Sequence, residues 1–263
     1  MSDNEYTPGE IMTVAAARKL KNGAVCFVGI GLPSAAANLA RLTHAPEVVL
    51  IYESGTIGAK PAVLPLSIGD GELAETADTV VSVPEVFRYW LQAGRVDVGF
   101  LGAAQIDPFA NINTTMIGGT YAAPRVRLPG AGGAPEIAAA AREIVIILRH
   151  SKRAFVQRLD FVTSSGLVAG AAGRRKSGPF GRGPTTVITD LGVLVSRPED
   201  RELLLTAVHP GVSVQRVRDE TGWDLKIAPA IETTAPPAAS ELAALRDLHA
   251  RTAAAHGSSP SAE

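Results

Sequence analysis

Between about residues 24 and 148 the chain repeats one phrase: a short apolar run, a turn of small residues, then an alanine-rich stretch with apolar positions at helical spacing. Strand, crossover helix and strand in that order can pair only in parallel, with a right-handed crossover. Residues from about Ile11 to Leu20 read as a helix stopped by Asn22-Gly23, Ala24 to Val28 as a strand, and Gly29-Ile30-Gly31-Leu32-Pro33-Ser34 as a turn opening a helix over Ser34 to Leu42. A second strand, Val48 to Tyr52, completes the unit. Val96 to Leu101 and Glu143 to Leu148 repeat the strand pattern, with Pro129-Gly130-Ala131-Gly132-Gly133-Ala134-Pro135-Glu136 opening the helix between them. The expected fold is therefore α/β: an open, mostly parallel, doubly wound sheet with helices on both faces.

Elsewhere the reading is looser. Pro61, Pro65 and Pro84 break the middle into short pieces, with a short amphipathic helix over Glu85 to Gln92. The segments Thr185 to Ile188, Leu191 to Val195 and Leu203 to Val208 are apolar, and Leu242, Leu245 and Leu248 mark a C-terminal helix over Glu241 to Ala255. Residues 170–184 form a glycine-rich stretch carrying Arg174, Arg175, Lys176 and Arg182, read either as a solvated loop or as a contact to an anionic ligand or a partner subunit. No repeat or linker divides the chain, so a single domain is expected over 1–255, with a disordered tail at 256–263.

Composition narrows the function. A formal charge of −1 with 19% charged residues offers no nucleic-acid face or polybasic anchor. No apolar run reaches the roughly 18 residues of a membrane span, and the polar N-terminus is unlike a signal peptide, so a soluble cytoplasmic protein is expected. The single cysteine, Cys26, excludes an internal disulfide and reads as a buried strand thiol. His44, His150, His209, His249 and His256 show none of the short spacings of a metal site, so no metal is expected. There is no Gly-x-Ser-x-Gly elbow and no phosphate-binding loop ending in Gly-Lys-Ser/Thr, and Gly29-Ile30-Gly31 lacks the third glycine of a dinucleotide fingerprint.

One acid stands out. Val48 to Tyr52 runs directly into Glu53-Ser54-Gly55, which aims a carboxylate at the carboxyl edge of a parallel sheet, where such folds keep their ligand sites. Two readings stay open at this point: a solvated acid at a strand end, or a nucleophile. A glutamate is ionised at neutral pH without a general base, so the lack of a histidine constellation does not count against an enzyme. Attack on an acyl group needs donors for the oxyanion, and backbone amides beside small residues can supply them. Three such turns follow strands, at Gly29 to Gly31, Gly102 to Gln105 and Gly130 to Gly133.

Over about Met12 to His256 these residues resemble the β (B) subunits of the class I coenzyme A transferases. The markers are Glu53-Ser54-Gly55-Thr56-Ile57-Gly58, Leu101-Gly102-Ala103-Ala104-Gln105-Ile106-Asp107 with Ala110-Asn111-Ile112-Asn113, and Pro129-Gly130-Ala131-Gly132-Gly133-Ala134. Ser54 stands where a branch of the family has Asn, and Ala110 where Gly is usual. The fuller wording is most similar to the branch acting on 3-oxoadipate, with the glutaconate branch close by.

The resemblance implies that Glu53 attacks the thioester of succinyl-CoA and becomes a glutamyl-CoA thioester, from which CoA passes to 3-oxoadipate in the breakdown of aromatic compounds by the β-ketoadipate route. It implies that the coenzyme A thioester is a substrate, that no cofactor is permanently bound, and that an A (α) subunit is an obligatory partner in an α2β2 or larger heteromer. Candidates for the oxyanion and CoA pocket are Gly102, Ala103, Gln105, Gly29, Gly31, Gly132 and Gly133. The rival readings are a glutaconate-type transferase, an acyl-CoA hydrolase using Glu53 as base, a catalytically silent scaffold subunit, and a sugar-phosphate isomerase or sensor on the same kind of sheet.

Overall fold

The structure, a computed structural model, describes residues 5–166, 185–197 and 200–257. Helix α1 (Pro8–Ala17) starts on a capping box, in which the Thr7 hydroxyl accepts from the Glu10 N–H while Glu10 accepts from the Thr7 N–H. Strand β1 (Val25–Val28), helix α2 (Leu32–Leu42) and strand β2 (Val49–Ile51) form the predicted unit. Then follow β3 (Thr56–Ile57), α3 (Gly71–Glu75), β4 (Thr79–Val80) and α4 (Val83–Glu85), which continues as a π-helical turn over Val86–Leu91. After β5 (Val98–Gly102) come two short ribbons, β6 (Gln105–Ile106) with β7 (Ile112–Asn113) and β8 (Met116–Gly119) with β9 (Pro124–Arg127). The rest is α5 (Ala134–Ala140), β10 (Glu143–Ile147), β11 (Thr185–Ile188), β12 (Gly192–Ser196), β13 (Leu203–Val208), α6 (Val214–Asp219), β14 (Lys226–Thr233) and α7 (Ala239–His256).

Among the described residues ten strands make one sheet in the order β14-β13-β12-β11-β10-β5-β1-β2-β3-β4. From β2 through β1, β5 and β10 to β11 every pairing is parallel; β12 and β3 run against their neighbours. Alternation along each strand divides the core into two layers. Cys26, Val28, Leu50, Tyr52, Phe100 and Val145 face α1, α2 and α7. Phe27, Ile51, Ile144 and Ile146 face the π-helical turn, α5 and Val217 of α6. The expected α/β sheet with helices on both faces is thus present.

The differences lie where pattern is weakest. The segment 105–127, expected to be irregular, holds the two ribbons, which are too short to show periodicity. Strand β14 is an outer strand carrying Pro229, with a register shift against β13, so its sequence lacks the alternation of a half-buried strand. The C-terminal helix extends through His256 and closes on Gly257 in the left-handed conformation. Residues 258–263 of the expected tail, and the whole basic stretch 170–184, lie outside the described residues. No helix among those described is long and apolar enough to cross a membrane.

Candidate active site

Strand β2 delivers Tyr52 and Glu53 to the carboxyl edge of the sheet, and what fixes their direction is a tight turn. The Gly55 N–H donates to the Tyr52 carbonyl at 3.0 Å, and the Tyr52 N–H donates to the Thr56 carbonyl at 3.1 Å, folding the chain back from β2 into β3. Gly55 has φ +106°, and a Cβ there would stand 2.0 Å from the Val81 carbonyl oxygen, so only glycine fits. The preceding side chain anchors the strand end. The buried Tyr52 hydroxyl lies 3.0 Å from Ser34 Oγ and accepts from Asn38 Nδ2 at 3.2 Å, tying β2 to α2. Burial raises the Tyr52 pKa in spite of these two bonds, so the phenol stays a neutral anchor.

Glu53 itself is half-buried, and no hydrogen bond or ion pair from the described residues engages its carboxylate. Its neighbours are glycines from a loop some eighty residues away. A Cβ on Gly132 would stand 3.2 Å from Glu53 Oε2 and 3.3 Å from Oε1, and one on Gly133 would stand 3.3 Å from Cδ. Two consecutive residues without side chains therefore line the carboxylate, and Gly132 is exposed, so the site opens to solvent. Among the described residues no backbone carbonyl takes the Gly132 or Gly133 N–H. That leaves two amides next to a carboxylate, the equipment that acyl chemistry on the acid requires.

The loop is gripped on both sides. On one, the Gly130 N–H donates to the Thr114 carbonyl at 2.8 Å and the Thr114 hydroxyl donates to the Gly130 carbonyl at 2.7 Å. On the other, Gly133 lies on Phe87: a Cβ would come within 2.6 Å of the ring. Phe87 belongs to the π-helical turn and packs on Phe27 of β1 at 5.6 Å between ring centroids. Inserting a residue into a helical ladder re-aims side chains, and such turns gather at functional sites.

The other candidates fall into two groups. Gly29 and Gly102 end adjacent parts of β1 and β5 against Pro33; the Gly29 N–H is already spent on the Phe100 carbonyl at 3.0 Å. Gly31, at φ +82°, starts α2 in open space. Ala103 is half-buried in the bend after β5. Gln105 is only 5% exposed and both ends of its amide are engaged, with Nε2 donating to Asp160 and Oε1 accepting from Asn113. The structure thus brings Glu53, Gly132 and Gly133 into contact and makes Gln105 an internal strut. Ala110 has φ +58°, in the bend that Asp107 closes by accepting from the Phe109 and Asn111 N–H groups. That left-handed position is where glycine is the easier residue.

Phe87 and Thr114 were not among the candidates, because an aromatic in a short amphipathic helix and a threonine in an Asn-Thr-Thr turn carry no sequence signal of their own. Ser54 adds an unpaired feature: among the described residues its buried Oγ has no partner. The histidines serve the fold. His150 stacks on Phe155 at 3.7 Å with Nδ1 and Nε2 on Thr189 and Thr221, and burial pulls its pKa down to about 3. His209 links Thr234 to the Thr189 carbonyl. Cys26 is fully buried, and burial pushes its thiol far up. Among the described residues no group of three His, Cys, Asp or Glu side chains could hold a metal ion.

The profile of a family described as Coenzyme A transferase matches residues 10–220. The chain is 63% identical over 252 residues to the B subunit of 3-oxoadipate CoA-transferase from Pseudomonas knackmussii, covering 96% of each. It is 38% identical over 237 residues to the B subunit of glutaconate CoA-transferase from Acidaminococcus fermentans, covering 88% of each. The crystal structure of glutaconate coenzyme A-transferase from Acidaminococcus fermentans superposes with a TM-score of 0.83 at 33% identity, over 92% of this chain and 94% of that one.

Proposed function

The chain belongs to the coenzyme A transferase family, and from that premise we propose that it is the B subunit of a cytoplasmic heteromer that moves CoA from succinyl-CoA to 3-oxoadipate. The substrate pair and the need for an A subunit rest on the 63% identity to a protein of that name. The assignment of Glu53 rests on one observation: its carboxylate, engaged by no described side chain, lies against Gly132 and Gly133, whose amides no described carbonyl takes.

Chemistry follows from that placement. A Glu53 oxygen attacks the thioester carbonyl of succinyl-CoA, the carbon–sulfur bond breaks, and the products are a mixed anhydride and CoA thiolate. The thiolate attacks the glutamyl carbonyl, releasing succinate and leaving a glutamyl-CoA thioester. The 3-oxoadipate carboxylate then attacks that thioester, expelling thiolate and forming a second anhydride. Thiolate attack on its 3-oxoadipyl carbonyl yields 3-oxoadipyl-CoA and returns Glu53 as carboxylate. Each oxyanion in the cycle forms on or next to the glutamyl carbonyl, within reach of the Gly132 and Gly133 amides, and with the A subunit closing the open side. An α2β2 assembly satisfies this pairing.

The experiment is a trap. Incubating the heteromer with succinyl-CoA and no acceptor should load one CoA on the peptide containing Glu53, seen by mass spectrometry and removed by hydroxylamine. Glu53→Ala should lose both the adduct and turnover, by about three orders of magnitude or more. Turnover surviving that substitution would overturn the assignment, and release of free CoA in step with substrate loss, without acceptor, would make the enzyme a hydrolase.

A further inference from the structure

The wall facing Glu53 has an unusual support. Pro129, Ala131 and Gly132 are exposed, a Cβ at Gly130 would meet nothing within 4 Å, and Gly130 and Gly132 have φ +108° and +47°. Side-chain packing therefore does not hold the first half of the loop, and its glycines carry the largest backbone freedom of any residue. What holds it is Thr114. That residue takes the Gly130 N–H on its carbonyl and gives its hydroxyl hydrogen to the Gly130 carbonyl, at 2.8 and 2.7 Å.

Thr114 is itself braced. Its N–H donates to Thr163 Oγ1 at 2.9 Å, Thr163 Oγ1 lies 2.7 Å from Thr115 Oγ1, and the Leu128 N–H donates to the Thr115 carbonyl at 3.0 Å. A rigid turn, Asn113 to Met116, closed by Asn113 Oδ1 accepting from the Thr115 and Met116 N–H groups, thus sets the loop's height.

We infer that Thr114 is a positioning residue for the transfer: its two-point grip on Gly130 sets the distance of the Gly132–Gly133 bend from the Glu53 carboxylate. The inference rests on Glu53 being the nucleophile. Oxyanion donors act only within a narrow range of distance, and displacements of about 1 Å near reacting groups cost on the order of 10²-fold in rate. Removing the hydroxyl leaves the Gly130 N–H bond but frees the carbonyl, so the bend can swing while the fold stands.

The test compares Thr114→Val, which keeps the branched shape, with Thr114→Ser, which keeps the hydroxyl, each in the heteromer with the A subunit and with succinyl-CoA and 3-oxoadipate as substrates. The expected result is a kcat at least ten-fold lower for Thr114→Val with KM for succinyl-CoA within about two-fold, slower appearance of the Glu53-CoA adduct in a single turnover, and recovery to within about three-fold by Thr114→Ser. Wild-type kcat in Thr114→Val would overturn the inference. So would an equal loss in both variants accompanied by a matching fall in thermal midpoint, since that is a structural role. Glu53→Ala, run alongside, separates the two ideas: adduct and turnover surviving there defeat the nucleophile, whereas a missing Thr114 effect with Glu53 essential defeats only the grip.

Discussion

At the scale of residues the site is a carboxylate and two absent side chains. Gly133 has a Cβ position crowded by Phe87 at 2.6 Å and by Glu53 Cδ at 3.3 Å. Gly133→Ala must therefore push the ring, the carboxylate or the loop, and we expect the heteromer's kcat to fall at least ten-fold with the fold intact by circular dichroism; a variant with wild-type kcat would show that the bend tolerates a methyl group. Sequence singled out Glu53 because a run of β-branched and aliphatic residues ending in an acid is a strong local pattern. The same local reading found Gly132 and Gly133 but could not tell that they, rather than Gly29 or Gly102, meet the acid. That choice depends on which loop crosses which strand end, a long-range property. Thr114 and Phe87 lay beyond it for the same reason.

At the scale of elements the turn from β2 into β3 carries the aim of Glu53. Gly55 combines a positive φ with a Cβ position 2.0 Å from the Val81 carbonyl oxygen, and the Val81 N–H donates to the Gly55 carbonyl at 2.9 Å. Gly55→Ala should lower the unfolding free energy by about 2–4 kcal/mol, read from urea denaturation, because neither the backbone nor the opposing strand can yield cheaply. A loss under about 1 kcal/mol would mean that the turn relaxes. The helices and parallel strands were legible because their periods extend over several turns or a full buried run. The β6–β7 and β8–β9 ribbons were not, since two to four residues contain no period to read, and the π-helical turn looks like ordinary helix in sequence.

At the scale of the whole molecule, buried histidine couples stability to pH. His150 sits 7% exposed between Thr189 and Thr221 with its pKa depressed to about 3 from an ordinary 6.5. Between those values the unfolded chain binds a proton that the folded one refuses, so stability falls as pH drops below about 6.5, by roughly 1 kcal/mol per unit from this group. Burial lowers the pKa of His209 and His249 in the same sense, while burial raises that of Asp107, which opposes them. Thermal midpoints measured from pH 7 to 4 should decline, and His150→Gln should flatten the slope even if it lowers the midpoint overall; an unchanged slope would mean another group drives it. The architecture also has a schedule. Strands β1 and β2 can pair as soon as they are made, yet the loop bearing Gly132 and Gly133 is synthesised some eighty residues after Glu53, which at ribosomal speeds of roughly 5–20 residues per second is a delay of about 4–16 s. During that interval the nascent chain presents its acid to water as an ordinary carboxylate, so reactivity toward acyl donors is switched on by the completion of synthesis, not by the appearance of the acid.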